Sequence, residues 1–316
     1  MRVLVVGAGA TGGYYGARLG EAGRDVTFLV RPARAEALAA KGLSVKSPLG
    51  DVHLPAPATV TADALAQGQG GAFDLVLLSC KAYDLDAAIA DFAPAVQEGT
   101  LVLPVLNGMR HLDALDARFG AERVLGGSCS IVATVAAGGE IRHMSAFATL
   151  TYGERDGSRS PRVEAIEALV RDARFQPKLS STIVLEMWEK WVFLATLAGI
   201  TCLMRASIGD IVGAPGGRAA IEEVYAECVA VATAAGFAPR EAVSAQARAM
   251  LTQEGAPITA SMLRDIEGKA RIEADHVIGD LIARGDAHAP DSPRPGLARA
   301  YTHLKAYERR RARETA

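Results

Sequence analysis

Arg2-Val3-Leu4-Val5-Val6-Gly7-Ala8-Gly9-Ala10-Thr11-Gly12 decides the fold. Val3 to Val6 form an apolar run that is too short for a helix and ends in glycine, so residues 2 to 6 read as a strand buried on both faces. Residues 12 to 22 continue as a helix, and Asp25 to Val30 reads as a second strand. The spacing G-x-G-x-x-G is weak alone, but here it lies inside a strand–helix–strand unit of about thirty residues. That context makes Gly7, Ala8, Gly9, Ala10, Thr11 and Gly12 a dinucleotide phosphate loop. Gly7 makes the tight turn, Gly9 lets the backbone approach a pyrophosphate, and Gly12 lets helix and strand pack closely. N–H groups at the helix start then face the phosphates. A glycine-rich turn without a ligand is the alternative.

Outward from this unit, Ala33 to Ala40 reads as a second helix. Residues 43 to 60 alternate and carry three prolines, which predicts short antiparallel strands or a loop. Phe73 to Ser79 and Thr100 to Val105 are further buried strands. Strands alternating with helices predict a parallel, doubly wound α/β sheet. From Arg123 to Tyr152, segments rich in Val, Ile, Thr and Ser predict antiparallel strands that extend this sheet. A helix over 161–173 and a short strand from Phe175 to Leu179, despite Pro177, complete the first part. After Ser180 the pattern is helical. Ile183 to Met204 is apolar nearly all round, as expected of a buried central helix. Helices follow over 216–235, 239–253, 258–267, 271–284 and 296–308, and the charged tail after Glu308 is expected to fray. The domain division falls near residue 180, giving a dinucleotide-binding part over 1–180 and an all-helical part over 181–316.

The chain has 316 residues, half of them hydrophobic, which suits roughly two domains and a large core. A net charge of −2 gives no reason to expect nucleic acid or an anionic membrane surface as partner. No apolar run reaches the ~18 residues of a membrane span. Val3 to Val6 is too short for a signal-peptide core, so a cytoplasmic location is expected. The four cysteines, Cys80, Cys129, Cys202 and Cys228, lie far apart with no C-x-x-C pair. They read as small buried hydrophobes, with no disulfide framework and no metal site.

The end of the second strand distinguishes the dinucleotides. NAD enzymes usually place a carboxylate there for the ribose 2′-hydroxyl. This strand instead ends Phe28-Leu29-Val30-Arg31, and Arg34 follows. A guanidinium favours the 2′-phosphate of NADP through a bidentate, charge-assisted fit. An exposed arginine at a helix start is the alternative. Ser79-Cys80-Lys81 and Leu106-Asn107-Gly108 follow the next two strands, at the carboxyl ends where such sheets bind ligands. Lys81 offers a cation to cofactor or substrate, and Asn107 offers an amide to the nicotinamide ribose or a substrate oxygen. A surface lysine and an Asn-Gly turn are the ordinary readings.

Lys190 stands within Met187-Trp188-Glu189-Lys190-Trp191-Val192-Phe193 and is the only lysine between Lys178 and Lys269. A lysine on a mostly apolar helix suits a general acid, because desolvation eases proton release. The alternative is an exposed pair with Glu186, one helical turn before it. Ser261 and Glu273 bound a polar stretch. In one straight helix they would point about 120° apart, and a break near Gly268 would let both serve one site. A solvated helix face is the competing reading.

Taken together, these residues resemble the ketopantoate reductase family (2-dehydropantoate 2-reductases). The likeness covers nearly the whole chain. It runs from the glycine loop through Arg31, Ser79-Cys80-Lys81, Asn107-Gly108 and Lys190 to Ser261-Met262-x-x-Asp265, with Glu273 twelve residues after the serine. It implies a Rossmann domain followed by an all-α domain of the 6-phosphogluconate dehydrogenase C-terminal type. It also implies reduction of 2-dehydropantoate to pantoate by NADPH, in pantothenate and coenzyme A biosynthesis. By the same resemblance Lys190 is the catalytic lysine, protonating the carbonyl oxygen as hydride arrives. Glu273 holds the substrate hydroxyl near the cofactor, and Ser261 contacts the substrate carboxylate. Asn107 touches both cofactor and substrate, Lys81 and Arg31 contact the cofactor, and Ala133 offers it a backbone contact.

The pattern departs from the family in one place. Family members carry asparagines four and eight residues after the catalytic lysine, and this chain has Leu194 and Ala198 there. A third family asparagine falls near Ile208. Arg205 is either a replacement carboxylate contact or a cation at a helix C-terminus. The sequence therefore carries three readings: reduction of 2-dehydropantoate, an NADP-dependent dehydrogenase of another small-molecule 2-oxoacid, and a non-catalytic NADP-binding sensor. The last helices also offer a surface for a homodimer.

Overall fold

The computed structural model describes residues 1–315 and divides into two compact units. One comprises Met1–Leu106 and His111–Val184, and the other Asn107–Arg110 with the chain from Leu185 onward.

The first unit opens with β1 (Arg2–Val6), α1 (Ala10–Glu21), β2 (Asp25–Leu29), α2 (Pro32–Lys41), β3 (Leu43–Lys46), β4 (Val52–Leu54) and β5 (Ala58–Val60). It continues through α3 (Ala62–Ala66), β6 (Leu75–Leu78), α4 (Leu85–Phe92), β7 (Leu101–Pro104) and α5 (Arg110–Phe119). β8 (Gly126–Ser130), β9 (Ala133–Val135), β10 (Ile141–His143), β11 (Thr149–Gly153), α6 (Pro161–Val170) and β12 (Gln176–Leu179) complete it. Five strands form a parallel sheet in the order β5-β2-β1-β6-β7. Their near-continuous apolar residues are buried because both faces of such a sheet are covered. The order reverses between β1 and β6, which places a crevice at the carboxyl ends of these two strands.

Residues 43 to 60 form an antiparallel pair, β3 with β4, and then a fifth parallel strand, β5 beside β2. The strands after Arg123 do not extend the parallel sheet, contrary to the expectation. They build two smaller sheets, in the orders β4-β3-β10-β9 and β12-β11-β8. The chain touches β7 through the Leu125 N–H to Val102 carbonyl bond and a single bridge, Val102 to Val124. Pro104 then offers no N–H with which to continue a ladder. Pro177 is tolerated because β12 is an edge strand. α1 is buried against β3, β4, β9 and β10 as well as the parallel sheet. Its Tyr15 hydroxyl donates to the Thr149 carbonyl at 2.8 Å, and its Tyr14 ring meets His143.

The second unit is helical. α7 (Ile183–Met204), α8 (Ile208–Gly213), α9 (Gly217–Ala234), α10 (Glu241–Leu251) and α11 (Ser261–Glu267) lead to a π-helical turn at Asp275–Gly279. α12 (Asp280–His288) and α13 (Pro295–Thr315) follow. α7 has the expected bounds and is largely buried, with Gly199 facing Val224 of α9, Ala300 of α13 and Ile278 of the π turn. Glu227 of α9 accepts from the Gly296 and Leu297 N–H groups at 2.9 and 2.7 Å, a buried carboxylate closing the start of α13. Two expectations are corrected here. The tail after Glu308 does not fray, because α13 runs to Thr315, held by Arg311 Nε donating to the Lys269 carbonyl at 2.9 Å. The helix expected over 271–284 starts later and opens with the π turn.

Cys202 and Cys228 are buried, and burial pushes both thiols up to about 12, out of reach of thiolate chemistry. Cys80 and Cys129 are half-buried, so the reading as buried hydrophobes holds for two of the four. No helix among the described residues is long and apolar enough to cross a membrane.

Candidate functional site

In the first unit, the loop from Gly7 to Gly12 joins β1 to α1. The Gly7 N–H donates to the Leu29 carbonyl at 3.0 Å, tying the turn to the neighbouring strand β2. Gly9 caps α1 with extended backbone and no side-chain acceptor, and no acidic residue stands in the first turn. The first N–H groups of α1 are therefore not claimed by a capping side chain, which is the condition for anion binding. Gly12 is where glycine is required. A Cβ there would lie 2.1 Å from Ser79 Oγ and 2.4 Å from the Gly7 carbonyl oxygen. Ser79 itself points beneath the loop, its hydroxyl donating to the Val6 carbonyl at 3.0 Å. The serine thus buttresses the turn.

The two arginines after β2 divide into distinct roles. Arg34 Nη2 donates to the Ala8 and Gly139 carbonyls at 3.2 Å each and so braces the glycine loop. Arg31 stands at the N-cap of α2 with extended backbone. Its side chain is 83% exposed and meets Asp84 at 3.5 Å. An exposed pair of this kind is worth about 0–1 kcal/mol, so a phosphate can displace it at little cost. Lys81 is exposed at the start of the short turn Ala82–Asp84 that carries Asp84. Ala133 is half-buried in β9, opposite His143 of β10. The structure thus brings together the glycine loop, Ser79 and Arg34, and joins Arg31 to the turn after Lys81.

In the second unit, Lys190 lies on α7 and is half-buried, less enclosed than the apolar sequence around it implies. Its neighbours are firmly held. Glu189 is buried and accepts from the Arg240 backbone N–H at 2.9 Å and from Arg240 Nε at 2.8 Å. Trp188 stacks on Phe237, and the Trp191 indole N–H donates to the Val277 carbonyl at 2.9 Å. Leu194 is half-buried and Ala198 is buried on the same helix.

Ser261 is exposed at the first position of α11. The helix ends at Glu267, and Lys269 adopts a left-handed φ of 56°, so the chain breaks beside Gly268. Glu273 is half-buried just before the π turn. His276, within that turn, is buried and senses the charge of Glu273. It also packs on Gly108 and hydrogen-bonds to the backbone of Asn107. Asn107 and Glu273 therefore meet around one histidine.

Arg205 is exposed beyond α7 with φ 57°, and the Ala206 N–H donates back to the Thr201 carbonyl. That is the geometry of a helix C-terminal cap. Ile208 is fully buried at the start of α8. Asp84, Glu189, Arg240 and His276 escaped the sequence reading. His276 had a local signal, a titratable ring three residues after Glu273 and directly before the apolar Val277-Ile278. Arg240 had none, because its partner lies 51 residues away.

A parallel sheet with a glycine loop at its reversal point is the architecture of dinucleotide-binding proteins. Comparison with known proteins specifies the family. Residues 3–157 match the model of ketopantoate reductase PanE/ApbA, and residues 182–308 match that of its C-terminal domain. The uncharacterized oxidoreductase YkpB of Bacillus subtilis (strain 168) is 37% identical over 308 residues, covering 98% of this chain and 99% of the relative. A 2-dehydropantoate 2-reductase of Mesorhizobium japonicum is 28% identical over 94% of each chain. A crystal structure of a PanE/ApbA family ketopantoate reductase from Ralstonia eutropha JMP134 superposes with a TM-score of 0.87 at 26% identity, covering 99% of this chain and 100% of that one. The chain belongs to the ketopantoate reductase family of oxidoreductases.

Proposed function

We propose that the protein is a cytoplasmic, NADPH-dependent 2-oxoacid reductase that converts 2-dehydropantoate to pantoate, the step that feeds pantothenate and coenzyme A biosynthesis. The observation that carries the cofactor half of this reading is the pairing of an uncapped helix start at Gly9 with an exposed guanidinium at Arg31. Residues 1–180 serve as the NADP-binding part and 181–316 as the substrate and dimerisation part. Gly7, Ala8, Gly9, Ala10, Thr11 and Gly12 hold the pyrophosphate, Arg31 the 2′-phosphate, and Lys81, Asn107 and the Ala133 backbone the remainder.

Bound NADPH supplies the hydride that adds to the C2 carbonyl carbon. The Lys190 ammonium donates a proton to the carbonyl oxygen in the same step, so that the ketone leaves as a secondary alcohol. Asn107 orients the carbonyl, Ser261 donates its hydroxyl to the substrate carboxylate, and Glu273 accepts from the substrate hydroxyl while lying near the cofactor. The test is turnover of a panel of 2-oxoacids followed at 340 nm with NADPH and with NADH. Oxidation of NADPH by 2-dehydropantoate, exceeding that of NADH, supports the reading. Cofactor binding with no turnover of any member would assign the protein as a sensor.

A second reading rests on Leu194 and Ala198. Neither side chain can hydrogen-bond a substrate hydroxyl, and a hydroxyl buried against them would go unpaired at a cost. A 2-oxoacid with a less hydroxylated side chain then becomes the substrate, with Lys190 in the same role. Turnover of such an acid in preference to 2-dehydropantoate establishes it.

A further inference from the structure

The π turn at Asp275–Gly279 gathers contacts from three distant segments. Asp275 accepts from the Tyr301 hydroxyl at 2.7 Å and from Lys305 Nζ at 2.9 Å, which fixes the turn to α13. The Val277 carbonyl accepts the indole N–H of Trp191, the residue directly after Lys190. Gly279 packs against the Tyr301 ring, where a Cβ would approach to 3.0 Å. His276, between these anchors, is turned to the Asn107-Gly108 segment. A Cβ on Gly108 would lie 2.9 Å from the His276 carbonyl oxygen and 3.0 Å from His276 Cδ2. Gly108 also has a φ of 80°, a conformation that side-chain-bearing residues rarely adopt. The backbone is therefore pressed onto the histidine by a contact that only glycine permits.

We infer that His276 is a positioning residue: its imidazole N–H donates to the main-chain carbonyl of Asn107 and thereby fixes the Asn107 side chain beside Glu273. The inference rests on the reading of Asn107 and Glu273 as substrate and cofactor contacts. The electrostatics of the ring agree with that geometry. The bond to the Asn107 backbone favours the protonated ring, so the backbone group is an acceptor and the ring is the donor. The ring is buried, and burial holds its pKa below the ordinary histidine value. Glu273 and Asp280 pull the other way, and Arg110 adds to the depression. A neutral imidazole has one N–H, and spending it on Asn107 leaves that ring with a single defined tautomer. π turns within helices recur at functional sites because they re-aim side chains without ending the helix. Here the turn aims a ring at one segment and a carbonyl at α7. Positional errors of about 1 Å can cost roughly a hundredfold in rate, so a modest support of this kind is worth having.

The experiment uses the full chain, with His276→Leu, His276→Gln and Asn107→Ala, and the 2-oxoacid that the wild type turns over. His276→Leu should lower kcat roughly ten- to hundredfold, a larger factor than the loss of NADPH affinity passed on through Asn107. His276→Gln, which keeps an N–H donor, should recover most of that loss. His276→Leu combined with Asn107→Ala should be no slower than Asn107→Ala alone, because the two act through one interaction. Wild-type kcat in His276→Leu, or losses that multiply in the double variant, overturns the inference. A second measurement covers the case in which the leucine variant does not fold. In 15N-labelled wild-type protein without substrate, the Gly108 amide resonance should move with the titration of the His276 ring. A Gly108 resonance indifferent to that titration overturns the inference. This readout needs no turnover, so it is distinct from a failure of the 2-oxoacid panel, which overturns the functional reading instead.

Discussion

The glycine loop and the π turn, the two recognition elements of the proposed function, are built in different ways. The loop is six consecutive residues, and its working groups are backbone N–H donors shaped by glycine. The π turn is fixed by long-range hydrogen bonds from Trp191, Tyr301 and Lys305, and its His276 ring meets the Asn107 backbone and the charge of Glu273. The first is a local property of strand, turn and helix. The second exists only when four segments of chain have packed. Damage to the loop should therefore appear as lost cofactor affinity, and damage around the turn as lost rate with the cofactor still bound.

The largest test of this contrast is Lys190→Ala. Removing a general acid costs about 10²–10⁴-fold in rate. We expect a kcat loss in that range with NADPH binding, read by fluorescence titration, unchanged. Loss of NADPH binding in this variant would remove Lys190 from the chemistry and blur the contrast. Gly12→Ala should do the opposite. Its Cβ collides with Ser79 Oγ and the Gly7 carbonyl, and overpacking of this kind costs about 1–3 kcal/mol. If that strain falls on the ligand-binding conformation, NADPH affinity should fall roughly five- to 150-fold, at about 1.4 kcal/mol per decade. A variant that binds NADPH normally would show that the loop is not pressed against a ligand.

Arg31→Ala sharpens the loop side further. A hydrogen bond to a charged group is worth about 1.5–3 kcal/mol, so the KM for NADPH should rise roughly ten- to hundredfold while that for NADH stays constant. Equal changes for both cofactors would assign Arg31 to the helix start alone.

The smallest expected effect concerns pH and belongs to the turn. Burial depresses the His276 pKa, as it does that of His303, where Arg205 and Arg310 add to the depression. Below the ordinary value of 6.5 the unfolded chain takes up protons that the folded chain refuses. Stability contributed by these rings is thus complete above that pH and declines as pH falls toward their folded pKa values. Melting temperature should drop by a few degrees between about pH 7 and 5, and His276→Gln should flatten part of the slope. An unchanged slope in that variant would place the dependence on other groups.

Much of this molecule was legible from its sequence. The buried strands and the glycine spacing specify the parallel sheet and its loop, because periodicity and φ requirements act within a few residues. α7 was legible end to end, because a mostly apolar stretch of its length, with no proline and its charges confined to Glu186, Glu189 and Lys190, has few other solutions. The strands after Arg123 were not, since both an extended sheet and separate sheets satisfy the same alternation, and only the pairing of β8 with β11 chooses. The end of α13 was misread because its charges look solvated, whereas Arg311 and Tyr307 reach back to the carbonyls of Lys269 and Ala270.

The sequence by itself determined that a strand, a glycine turn and a helix would present uncapped N–H groups, followed by an arginine where a carboxylate would serve NAD. Those are local consequences of residue type and spacing. Tertiary structure alone decided that Arg34 braces the loop while Arg31 is left exposed, and that Glu189 is locked to Arg240. It also decided that His276 meets Asn107. Each of these depends on which distant group arrives within hydrogen-bonding reach of a buried polar atom, a choice made by packing and invisible in any window of sequence.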